Sequence, residues 1–247
     1  MSDFRYHAFV SGISGHITAP FNEIIPIQAS LSLPLTGGFA TACVENFNFH
    51  HIVSCESIRS VLAGNRNPTD GSFDAVATVT ITGLNILNLV TADRVVARIA
   101  SSHPKDKPHS ITPIGSSYDN LRIAGRKVDV TLATETFHEF DNAEKVRAEI
   151  ERNASFRDLW LAAPAPGKLG VCSLAQNSDL KKLPSCMELD EKKHVLHVRG
   201  FGRIHLAELT MTDTERSITM LQVELGSTPS GTVTTGTGAG NGSDYGG

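Results

Sequence analysis

Apolar and polar residues alternate along most of this chain, and the alternation is clearest between Ala75 and Ala100. Ala75, Ala77, Val79 and Ile81 alternate with Val76, Thr78, Thr80 and Thr82. A two-residue period rich in β-branched side chains predicts a strand with one buried face. Gly83 interrupts the run, and a reversal is expected near Leu87-Asn88 because asparagine tolerates turn dihedrals. The returning strand, Leu89 to Ala100, places Thr91, Asp93, Val95, Ala97 and Ile99 on one side. Arg94 and Arg98 fall on the other side with Val90, Ala92 and Val96.

The same pattern occurs 37 residues earlier. Phe47-Asn48-Phe49 lies under Leu84-Asn85-Ile86, Glu56 under Asp93, Ile58 under Val95 and Leu62 under Ile99. Self-similarity at fixed spacing predicts a duplicated hairpin. A shorter echo, Asn120 to Gly125 followed by Lys127 to Val130, again reads strand, glycine turn, strand. Upstream, Phe4 to Thr18 predicts a strand. Ile25, Ile27, Ala29, Leu31 and Leu33 predict another, with Pro26 suiting an edge. Near the end, Ile204, Leu206, Glu208 and Thr210 alternate with His205, Ala207, Leu209 and Met211. Thr219 to Leu225 answers them, giving a terminal hairpin.

The period changes after the third echo. Asp141 and the run Asn142 to Arg152 predict a helix, with Val146 and Ile150 on one face. Ser155 is placed to cap a second short helix containing Phe156 and Trp160, and Pro164 and Pro166 end it. The expected fold is therefore mostly β: an antiparallel sandwich of repeated hairpins with a small helical insertion at about 138–165. A β-helix-like stacking of the repeats is the alternative. Residues 1–226 read as a single β-rich domain. Residues 227–247, mostly Gly, Thr and Ser, read as a disordered tail because they carry too little apolar surface to fold alone.

Composition narrows the function classes. The 247 residues carry a formal charge of −4, which argues against a broad nucleic-acid surface. The Lys181-Lys182 and Lys192-Lys193 pairs read as solvated faces. No stretch is long and apolar enough to span a bilayer. No secretory pattern follows Met1 to Tyr6, so the cytoplasm is the default expectation. The four cysteines, Cys43, Cys55, Cys172 and Cys186, permit two disulfides without requiring them, and small buried thiols are the simpler reading. The sequons at Asn153 and Asn241 carry little weight without an export signal.

Candidate chemistry is sparse. No phosphate loop, nucleophile elbow or zincin motif is present, so no catalytic or cofactor-binding residue is assigned. Histidine is the enriched type, at ten residues. His50 and His51 mark the first hairpin turn. His194 and His197, three apart, would point to opposite faces of a regular strand. His103 and His109 share a loop with Asp106 and are the metal candidates, calcium or zinc being the ions considered. Glu56 and Asp93 hold equivalent repeat positions and read as turn caps or partners of Arg59 and Arg94.

The repeat Ala77 to Ala97, the segment Gly115 to Gly125 and the strand Gly200 to Glu208 together resemble the choice-of-anchor P family of bacterial proteins. The resemblance covers about residues 39–225 and keeps the order of elements. It implies an exported, surface-associated β protein with no catalytic site to carry over, and the helical insertion departs from it. The expected function is a non-enzymatic structural or binding module that self-associates through strand edges as a homo-oligomer. One rival is a hydrolase with the helices as a lid over loops 64–72 and 101–110. Another is a metal-stabilised adhesive domain.

Overall fold

A computed structural model describes residues 3–105, 109–140, 142–163, 170–176, 186–190, 195–212 and 215–245. In chain order the elements are β1 (Asp3–Ala19), β2 (Glu23–Ile25), β3 (Leu31–Ser32), β4 (Gly38–Phe49), β5 (Val53–Arg66), β6 (Phe73–Ile86), β7 (Val90–His103), β8 (Ser110–Thr112), β9 (Ser117–Asp119), β10 (Arg122–Ile123) and β11 (Arg126–Lys127). Three short helices follow, α1 (Thr136–Glu139), α2 (Ala143–Arg152) and α3 (Ala154–Arg157). The chain ends with β12 (Trp160–Ala162), β13 (Gly170–Ser173), β14 (Met187–Asp190), β15 (Val195–Val198), β16 (Gly202–Met211), β17 (Arg216–Gly226) and β18 (Ser230–Tyr245).

These strands form two antiparallel sheets packed face to face, a β-sandwich, and not the stacked coil of a β-helix. The first sheet runs β12-β13-β16-β17-β18-β1-β2, with β15 beside β16, β14 beside β15 and β3 beside β1. The second runs β11-β10-β7-β6-β5-β4, with β8 and β9 also paired to β7.

The repeat is real and threefold. The hairpin turns fall at His50-His51, Leu87-Asn88 and Ala124-Gly125, each pair at positive φ and each 37 residues after the last. The same spacing recurs four residues before each turn, where Asn46 in β4, Gly83 in β6 and Asn120 between β9 and β10 also take positive φ. Asn46 sits across from Glu56, and Gly83 lies between Glu56 and Asp93. A line of left-handed kinks therefore crosses the sheet without shifting its pairing register. Only asparagine and glycine adopt this conformation cheaply.

Each kink inverts which residues point inward. In β6, Ala77, Val79 and Ile81 are buried before Gly83, and Leu84 and Ile86 after it. β7 inverts opposite, with Val90 and Ala92 buried on one side of Asp93 and Val95, Ala97 and Ile99 on the other. The expected facing of Leu89 to Ala100 thus holds only beyond Asp93. In β16, Ile204 and Leu206 are buried, then Leu209 and Met211, because Ala207 sits at φ 47. β17 inverts beside it, at Met220-Leu221.

Residues 230–245, expected to be disordered, form a strand between β17 and β1. The tail has little apolar surface of its own, but both neighbouring strands satisfy its backbone. Its glycines also let it lie close against the opposite sheet. A Cβ on Gly240 would stand 3.0 Å from Ile99 Cγ2.

The helical run starts at Thr136, and the chain is extended again by Trp160, earlier than expected. Asn142 caps α2 by accepting from the Lys145 N–H. Asn153, not Ser155, caps α3 by accepting from Phe156. Asp141, Pro164, Pro166, His194 and both lysine pairs lie outside the described residues. Among the described residues, no helix is long and apolar enough to cross a membrane.

Candidate functional site: an uncovered strand edge

The two borders of the second sheet are treated differently. The outer side of β7 is covered along its length by β8, β9 and β10. β4, at the opposite border, has no strand on its outer side among the described residues. A strand of 12 residues spans about 40 Å at roughly 3.4 Å per residue. Natural sheets blunt long edges with Lys, Pro or brevity. β4 reads GFATACVENFNF, with Glu45 its one charge and neither Lys nor Pro.

The strand expected over 25–33 is broken, and the break shapes this side of the molecule. Only β2 and β3 are regular, because Pro26 lacks an N–H and Ala29 sits at φ 48. The connecting segment still follows β1: the Gly12 N–H donates to Gln28 O and the Gln28 N–H to Ile13 O. Ser60 Oγ of β5 donates to Ala29 O at 2.6 Å, joining this segment to the second sheet. At the hairpin end, His50 Nε2 lies 2.9 Å from Glu23 Oε2, and its ring stacks on Phe21.

Apolar side chains are left in solvent along this same side. Ile24 is 72% exposed, Phe39 68% and Ile27 62%, with Leu35 and Phe21 close to half exposed. Phe39 lies on β4 itself, and the others lie on β2 and in the segments flanking β2 and β3; exposed apolar residues scattered singly are ordinary, whereas several near one uncovered border suit an interaction surface.

Residues 4–168, two thirds of the chain, match the family model described as "Domain of unknown function (DUF8256)". The chain belongs to this family. The DUF8256 region contains the whole of the second sheet and the open β4 edge. No curated protein and no solved structure matches the chain.

The metal candidates are only partly assembled. His103 and His109 stack with ring centroids 5.2 Å apart, against Phe4, while Asp106 lies outside the described residues. Among the described residues, no three His, Cys, Asp or Glu side chains gather as a metal group. The loops after β5 and β7 do lie at one end, since Phe73 pairs with both Arg66 and His103. Glu56 lies over Gly83, and Asp93 accepts from Asn120 Nδ2 at 3.1 Å. Both acids thus hold the kink line, while Arg94 pairs with Asp119. All four cysteines are free. Cys43 stands opposite Arg59 and Cys55 opposite Phe47, and burial pushes the Cys55 thiol up to about 11.

A second polar cluster escaped sequence reasoning. The Ala207 kink turns His205 and Glu208 to one face although they are three apart in a strand. His205 Nδ1 lies 2.8 Å from Glu208 Oε1, and its Nε2 lies 3.3 Å from Glu224 Oε1. Arg203 pairs with Glu224 in turn. A cavity of about 420 Å³ adjoins the cluster, lined in part by Cys186, Glu188, His197, Arg203 and Glu224.

The bond to Glu208 leads the causes that raise the His205 pKa above its ordinary value, against desolvation. This contribution to stability is fully present below about pH 6.5, the unfolded histidine value. It is lost as pH rises through the higher folded value. The melting temperature of the wild type is thus expected to fall across that window by more than that of His205→Gln. Equal slopes for the two proteins would remove His205 as the cause.

Proposed function

We propose that this protein is a non-catalytic assembly module that pairs with a second copy through β4. The carrying observation is the long, nearly uncharged, uncovered β4 edge beside exposed Phe39, Leu35, Ile27 and Ile24. Antiparallel addition of a second β4 satisfies the outer row of backbone groups on both copies and continues the sheet across a twofold axis. The edge suits its own copy electrostatically. Only Glu45 is charged, so every register but the one centred on Glu45 sets it against a neutral residue. The same approach covers the apolar border. A surface-associated role, as the sequence resemblance implies, is compatible with such a unit.

Size-exclusion chromatography with light scattering tests this reading across a dilution series. The wild type is expected to be a dimer that dissociates on dilution. Thr41→Lys, an exposed edge position, is expected to lack this dilution-sensitive dimer and to melt at the temperature of the diluted wild type. A wild type that is monomeric throughout the series overturns the proposal.

A further inference from the structure

The last strand is held in an unusual way. β18 lies in the middle of its sheet, between β17 and β1, and follows β17 after a three-residue turn, Ser227 to Pro229. Its departure would open two strand edges at once. Yet the described side chains of the strand, at 230–240, contribute little burial. Beyond the kink at Gly236, Gly238 and Gly240 are buried without a side chain. Val233, Thr235 and Ala239 are its buried side chains among the described residues. Thr235 is 0% exposed, and its hydroxyl has no hydrogen-bond partner. The flanking strands differ sharply: β1 buries Val10, Ile13 and Ile17, and β17 buries Ile218, Leu221 and Val223.

A buried hydroxyl without a partner is a standing penalty that valine would remove. A central strand rich in glycine also loses the most chain entropy on docking. β18 therefore combines a large backbone contribution with a weak side-chain grip. Such a segment opens at lower free energy than the core around it.

The groove it fills is selective. A Cβ on Gly231 would meet His16 O at 2.2 Å, and one on Gly15 would meet Thr232 O at 2.2 Å. At these points β1 and β18 approach too closely for any other residue. A generic extended peptide does not fit, but another copy's β18 does.

We infer that the groove between β1 and β17 is a strand-acceptor site whose alternative occupant is the β18 of a second copy. Every contact in the exchanged form repeats one in the closed form. Exchange is therefore opposed mainly by association entropy and the geometry of the short turn. This surface is distinct from the β4 edge and does not depend on it.

A fluorescent peptide of residues 230–245, incubated with the full-length protein, tests the acceptor. The native peptide is expected to co-elute with the protein, the Gly231→Val peptide is not, and the Thr235→Val peptide is captured more strongly. The Thr41→Lys chain, which lacks β4 pairing, tests the exchange itself. When concentrated it is expected to form a dimer that persists on dilution and that excess native peptide resolves to monomer. Absence of capture, equal capture of the Gly231→Val peptide, or a strictly monomeric concentrated Thr41→Lys chain would each overturn the inference.

Discussion

Ile58→Ala is expected to lower the stability by about 4 kcal/mol, the upper part of the range for truncating a fully buried isoleucine. Ile58 is 0% exposed in β5, just past the kink line. Its side chain crosses the sandwich into the notch left by Gly12 of β1, where an added Cβ would lie 2.4 Å from Ile58 Cγ2. One wall of the cavity left by alanine is the paired backbone of β1 at Gly12, which resists collapse. For a domain stable by about 5–15 kcal/mol, such a loss is a large fraction of the total. Urea titration should show the midpoint falling with little change in slope.

The reciprocal change tests whether the notch is the cause. Gly12→Ala pushes a methyl group into Ile58 and toward Gln28 O at 3.0 Å, with an expected loss of about 1–3 kcal/mol from overpacking. The double variant Gly12→Ala/Ile58→Ala should lose less than the two singles together, because the new methyl group occupies part of the cavity. Residues in contact commonly show coupling of about 0.5–3 kcal/mol. Strict additivity would mean that the two side chains do not share this space.

The repeat and the strand content were legible in the sequence, since hairpins 37 residues apart carry the same alternation and turn residues. The inversion of facing was not. Gly83 reads as a break in the run, and nothing in the sequence shows that it and Asn46 kink a strand while preserving its register. Ala207 carries no signal at all, so His205 and Glu208 were expected on opposite faces. The tail misleads for a related reason. Its composition reports what it can bury alone, whereas its place depends on two neighbouring edges and on small residues such as Ala77 and Ala97 in the opposite sheet. The open edge is equally a property of the whole: β4 is exposed because residues 110–123 return to cover β7, and no local pattern in β4 encodes that.

Arg216→Met is expected to cost about 4 kcal/mol and to loosen the helical segment first. Arg216 opens β17 and is 2% exposed. Its Nη1 donates to Ile111 O at 2.5 Å and its Nη2 to Phe140 O at 2.7 Å. Ile111 belongs to β8, which covers the β7 edge, and Phe140 is the C-cap of α1. One guanidinium therefore fastens both the edge cover and the helical insertion to the first sheet. Charge-assisted hydrogen bonds contribute about 1.5–3 kcal/mol each, and their loss leaves two carbonyls short of a donor. Methionine retains much of the apolar stem, so lost packing is a minor part of the effect. Arg216→Lys should fall between, because an ammonium lacks the planar fork that serves two acceptors. Hydrogen exchange over residues 109–112 and 136–140, read beside the global denaturation midpoint, separates two roles for the helices. Faster exchange with a lowered midpoint makes them part of the sandwich. Faster exchange with an unchanged midpoint makes them a detachable flap, and moves the lidded-hydrolase reading ahead of the assembly module.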